Sequence, residues 1–106
     1  MLPEKVQIGA HWYEIIETDD TGLLDGDNYG YWRATKQEIY IKKSVSSSRR
    51  AEAFLHEISE IILRSMLNVK ERDYTHQEHN AFIEMLTATL LSNKINLLEI
   101  GYAKEV

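Results

Sequence analysis

Midway along the chain, apolar residues stop recurring at every second position and begin to recur at every third or fourth. That change of period sets the order of the layers. Between residues 5 and 43, short runs rich in β-branched and aromatic residues, including Trp12, Tyr13, Tyr29, Tyr31, Trp32 and Tyr40, are broken by Gly, Asp and Asn. This is the pattern of short strands joined by turns. Val6, Ile8 and Ala10 alternate with polar neighbours, and the run Trp12-Tyr13-Glu14-Ile15-Ile16-Glu17 after His11 reads as part of a strand pair or of one bent strand. Thr18 to Gly22 and Asp25 to Asn28 are loop signals. Tyr29 to Arg33 and Glu38 to Lys42 bracket Ala34-Thr35-Lys36-Gln37 as a hairpin with a four-residue turn.

After the hydroxyl-rich stretch Ser44 to Ser48, whose side chains are natural N-caps, Ala51, Phe54, Leu55, Ile58, Ile62 and Met66 fall at helical spacing. A helix from about Ser47 to Leu67 is expected, then a polar linker over Asn68 to Tyr74. Phe82, Met85, Leu86, Thr89, Leu90 and Asn93 share one face of a second helix running from Thr75 to about Leu98. The expected fold is α+β: a small N-terminal antiparallel sheet of three or four strands over residues 5–43, followed by two packed helices over residues 47–98. At 106 residues the chain has the size of one domain, 1–106. Its expected core holds Phe54, Leu55, Ile58, Ile62, Phe82, Leu86 and Leu90.

Composition removes several classes of function. Seventeen acidic residues against twelve basic ones give a net charge of −5, and the one local positive excess is at Lys42, Lys43, Arg49 and Arg50. Nucleic-acid binding, which needs a broad basic surface, is disfavoured. The chain has no cysteine, so disulfides, thiolate metal sites and cysteine nucleophiles are impossible. No run approaches the ~20 apolar residues of a membrane span, and Met1-Leu2-Pro3-Glu4-Lys5 lacks the pattern of an export signal. A cytoplasmic location with no membrane partner is expected.

The sharpest local feature is His56-Glu57-Ile58-Ser59-Glu60. Residues four apart on a helix project side by side, so His56 and Glu60 are able to ligate one ion while Glu57 points near it. Leu63 and Leu67 continue their stripe, so this side of the helix is expected to be covered by the second helix, with His56 and Glu60 at the end of a helix–helix seam. Glu78 and His79 extend the apolar face of the second helix by one turn. His56, Glu60 and Glu78, with His79 nearby, then supply the donors of a three-ligand metal site with one open position. Glu57 is the general base that would take a proton from the ion's water.

The approach Ala53-Phe54-Leu55-His56-Glu57-Ile58 and the downstream segment Glu78-His79-Asn80-Ala81-Phe82 carry a resemblance. The chain resembles the small ImmA/IrrE-like zinc metallopeptidases of phages and integrating elements, which are zincin-like. Members have a short antiparallel sheet, a helix with His-Glu-x-x-His and a following helix with a segment like Glu-x-Asn-x-Phe. The order of elements matches over nearly the whole chain, whereas Glu60 stands where the family has its second His. The resemblance implies a zincin-like fold, bound Zn²⁺, peptide hydrolysis and a protein or peptide partner. Glu60 makes the donor set harder and more anionic, which shifts its relative preference toward Mn²⁺ or Mg²⁺. The alternative is a zincin-like interaction module without metal or catalysis.

Each of these residues also has a plain structural reading. His56, Glu57 and Glu60 can form an i,i+4 ion pair on a solvated helix face. Glu78 suits the first turn of a helix, where the dipole favours a carboxylate. His11 and His76 read as surface residues, and Tyr29, Tyr31 and Trp32 as strand packing. Asp25-Gly26-Asp27-Asn28-Tyr29-Gly30 begins like a calcium loop but has Tyr29 at its fifth position and Lys36 where a bidentate Glu is needed, so that reading fails.

Overall fold

The computed structural model describes residues 1–20, 24, 28–69 and 75–101. Its fold is α+β, a four-stranded sheet followed by two helices. The strands are β1 (Lys5–Ile8), β2 (His11–Thr18), β3 (Gly30–Arg33) and β4 (Glu38–Lys42). The helices are α1 (Ser47–Ile61), which continues as a π-helical turn over Ile62–Met66, and α2 (His76–Ser92). Loop residues 21–23 and 25–27, most of the linker read at Asn68 to Tyr74, and the start of the calcium-like segment lie outside the described residues.

The strand pair expected at the N-terminus is a hairpin. Gly9 and Ala10 form its turn, with Gly9 at φ +61° in the left-handed region that glycine enters without cost. Ala10 is therefore a turn residue and does not extend β1. The expected four-residue turn joins β3 and β4, closed by the Gln37 N–H donating to the Ala34 carbonyl at 3.3 Å. The sheet order is β1-β2-β4-β3, and here the structure departs from an all-antiparallel sheet: β2 and β4 run parallel, from Glu14 beside Glu38 to Thr18 beside Lys42. The β3–β4 hairpin docks through its second arm, which leaves β3 at the edge. Alternation along a strand states which residues share a face, but not which neighbour the strand chooses or in which direction.

Ser46 caps α1, its hydroxyl accepting from the Arg49 N–H. One face of the helix presents Ala51, Phe54, Ile58 and Ile61 to the sheet, where Val6, Ile8, Tyr13, Ile39 and Ile41 complete the buried core, and Ile62 is buried in the following turn. Each large side chain fully buried there contributes roughly 1.5–3 kcal/mol. Of the core expected from sequence, Phe54, Ile58 and Ile62 are fully buried, whereas Leu55, Phe82, Leu86 and Leu90 are half-buried. The reason is layering: α1 lies between the sheet and α2, and α2 is an outer layer in which Thr89 alone falls in the fully buried class.

The second helix ends sooner than its apolar pattern suggested. Asn93 caps it, Lys94 takes φ +54°, and the chain turns so that Ile100 is buried in the core. The Asn93 amide also docks on β1, its Nδ2 donating to the Gln7 carbonyl at 2.8 Å and its Oδ1 accepting from the Gln7 N–H at 2.8 Å. No helix among the described residues is long and apolar enough to cross a membrane.

Candidate functional site

The acidic motif of α1 faces β3. Residue 57 lies four after Ala53, three after Phe54 and four before Ile61, so it shares the buried stripe of the helix. Glu57 is accordingly only 6% exposed. His56 and Glu60 stand one step round the helix, where the His56 side chain is 65% exposed and that of Glu60 28%. This corrects the expectation that His56 occupies a covered helix–helix seam. The side chain taken out of water is that of Glu57.

Glu57 fits because its neighbour on β3 is Gly30. A Cβ at Gly30 would stand 3.0 Å from Glu57 Oε2 and 3.1 Å from its Cγ, closer than such contacts ordinarily come. The carboxyl thus packs on bare strand backbone, in the floor of a cleft of about 550 Å³ between α1 and β3. His56 and Glu60 line that cleft from the helix, and Tyr31 and Trp32 from the strand. Trp32 and Tyr29 also pack on the core, so the strand-packing reading and the cleft reading hold together.

Burial, and secondarily the charge of Glu60, push the Glu57 carboxyl up from the ordinary 4.5 to about 7. Among the described residues it has no hydrogen bond or ion pair. Glu60 is differently placed. One of its oxygens accepts from Arg64 Nε at 2.6 Å and the other lies 3.6 Å from His56 Nε2, which makes an i,i+4 ladder of His56, Glu60 and Arg64. The part of Arg64 is not among the sequence expectations, although its i,i+4 spacing from Glu60 is the signal for it.

The structure brings His56 and Glu60 together but does not gather the expected ligand set. The Glu78 carboxylate accepts from the Thr75 N–H at 2.8 Å while the Thr75 hydroxyl accepts from the Glu78 N–H, a reciprocal capping box at the start of α2. His79 is exposed on the same turn. Among the described residues no group of three or more His, Cys, Asp or Glu side chains is placed to hold a metal ion. The donor chemistry agrees with that geometry: the carboxylate at position 60 is held by an arginine, and the one at 78 by its own helix terminus. This arrangement does not fit a three-ligand zinc site. His11 and His76 are exposed, as expected.

The strand side of the cleft carries a second kind of functional group. The Lys42 N–H donates to the Tyr29 carbonyl at 2.8 Å, so Tyr29 and Lys42 are a hydrogen-bonded pair of the β3–β4 ladder. Alternation of an antiparallel ladder gives Tyr31–Tyr40 and Arg33–Glu38 the same character. The N–H and C=O groups of Gly30 and Trp32 therefore point away from β4, across the open edge of the sheet. Sequence reasoning had no signal for this, because it depends on β3 being the edge. No family model, no curated protein and no solved structure matches the chain. The likeness to the ImmA/IrrE-like proteins rests on the quoted motifs and the order of elements.

Proposed function

We propose that the chain is a zincin-like interaction module that takes an extended segment of a partner protein as an added strand on β3, alongside α1. The observation that carries this reading is the asymmetry of the two sheet edges. On β1 the outward-facing groups of Gln7 are taken by Asn93, whereas Gly30 and Trp32, whose outward groups have no such partner among the described residues, line a cleft of about 550 Å³. Exposed strand edges pair readily, and their backbone groups supply affinity while side-chain pockets supply selectivity. The setting in this reading is the cytoplasm, with which the cysteine-free composition is compatible. Amide exchange followed by NMR tests it: an extended peptide that binds should slow exchange at Gly30 and Trp32. Binding that protects only amides far from β3 would refute the assignment.

A second reading, a metal-dependent peptidase, is favoured by one observation. Glu57, the residue the resemblance casts as general base, is a buried carboxyl with its midpoint near neutral pH in an open cleft, as acid–base chemistry requires. Metal analysis of protein purified without chelators tests this, together with thermal unfolding with added Zn²⁺ or Mn²⁺ for the natural chain and for Glu60→His. A rise in melting temperature with metal, and peptide cleavage abolished by Glu57→Gln, would support the peptidase. No metal dependence in either protein would leave the interaction module.

A further inference from the structure

We propose that the cleft selects a cationic side chain, lysine or arginine, carried on the added strand and directed at Glu57 and Glu60. The inference rests on the strand-addition reading and deepens it by naming the side chain the partner must present. A carboxyl group that is 6% exposed and has no hydrogen bond or ion pair among the described residues is costly to ionise until a donor reaches it. Among the described residues no side-chain oxygen or nitrogen is both sealed from solvent and without a partner. The unused lone pairs of Glu57 must therefore reach the cleft it lines.

Carboxyl groups outnumber cations in the lining of the cleft. Glu52, Glu57 and Glu60 all line it. The cations nearby are engaged by the other two carboxylates: Arg49 lies 3.0 Å from Glu52, and Arg64, which also lines the cleft, lies 2.6 Å from Glu60, while His56 stands 3.6 Å from Glu60. An incoming ammonium or guanidinium would give Glu57 the donor it lacks, in a charge-assisted bond formed out of bulk water, where such bonds are strongest. Strand geometry supplies the delivery. Alternate side chains of a strand paired to β3 point to the α1 side of the sheet, the side on which Glu57 meets Gly30. The ring of Trp32, two residues from Gly30 and so on the same face of β3, offers apolar and π surface to the methylene stem and the charged head.

The test uses the intact chain and four fluorescein-labelled peptides of alternating threonine and valine, with lysine, arginine, norleucine or glutamate at the central position. They are titrated by fluorescence anisotropy in EDTA. The lysine and arginine peptides should bind about tenfold more tightly than the norleucine peptide, and the glutamate peptide least. Joint substitution Glu57→Gln and Glu60→Gln, checked for folding by thermal unfolding, should bring the lysine peptide to the affinity of the norleucine peptide. Equal binding of all four peptides would overturn the charge selectivity and leave strand addition standing. Binding by none of them would overturn both. A lysine preference that survives the two substitutions, or one that appears only when EDTA is omitted, would overturn the assignment to these carboxylates.

Discussion

The side-chain amide of Asn93 holds the backbone of Gln7 as a neighbouring strand would, accepting from its N–H and donating to its carbonyl, each at 2.8 Å. The same amide donates to the Thr89 carbonyl at 2.8 Å, so one residue engages the β1 edge at Gln7 and the end of α2. Replacing Asn93 with Ala should cost about 1–2 kcal/mol in chemical unfolding, at the lower end because water can reach the freed groups. The opened β1 edge should also promote self-association. Light scattering at increasing concentration checks this, and a variant as stable and as monomeric as the natural chain would deny the clamp its role.

The carboxyl of Glu57 makes stability depend on pH in a definite direction. Its folded midpoint, about 7, lies above the ordinary 4.5, so the folded chain holds the proton more tightly than the unfolded one. The contribution is complete below about pH 4.5 and is lost as pH rises through about 7, a change on the order of 3 kcal/mol. Glu57→Gln should therefore melt higher than the natural chain at pH 8, with the gap closing at pH 4.5. A gap independent of pH would place Glu57 in water.

At the contact beneath it, Gly30→Ala should force Glu57 to move, because the new Cβ would lie 3.0 Å from Oε2. The expected cost is about 1–3 kcal/mol, together with loss of the discrimination between lysine and norleucine peptides. Full selectivity in a folded Gly30→Ala protein would show that the carboxyl does not need its seat on bare backbone.

Phe54 has no accessible surface. Truncation to Ala should cost about 3–5 kcal/mol, a large share of the stability of a domain this small. A loss below about 1 kcal/mol in denaturant titration would contradict its place between α1 and the sheet.

The ladder on the outside of α1 should behave in the opposite way. Arg64 and Glu60 form a partly exposed i,i+4 pair, so Arg64→Ala should change stability by less than about 1 kcal/mol while tightening the lysine peptide by freeing a carboxylate oxygen. Weaker binding would mean that Arg64 itself touches the peptide.

Much of this architecture is legible in the sequence where the deciding interaction is local. The Ser46 cap, the Ala34 to Gln37 turn and the burial of Phe54, Ile58 and Ile62 all follow from spacing within one element. The capping box was equally local: Thr75-His76-Gln77-Glu78 is its pattern, and it accounts for the carboxylate that the metal hypothesis had claimed. The position of Glu57 in the buried stripe is also readable, since it follows Phe54 by three, whereas the exposure of His56 is not, because Leu63 and Leu67 continue its stripe. What no spacing carries is the pairing of β2 with β4, the choice of β3 as the edge, or an amide at 93 meeting a backbone at 7. Each is settled by packing between segments far apart in the chain.

The described residues that line the cleft all fall between Asn28 and Arg64, in the β3–β4 hairpin and the helix that follows it. The described residues of the first hairpin and of α2 add no wall to it. If β3 takes up a partner strand as proposed, the recognition surface is one uninterrupted stretch of sequence. Changes outside it alter how firmly the surface is held, while changes inside it alter what is recognised. The selectivity of such a chain can drift, or be redesigned, without renegotiating the rest of its core.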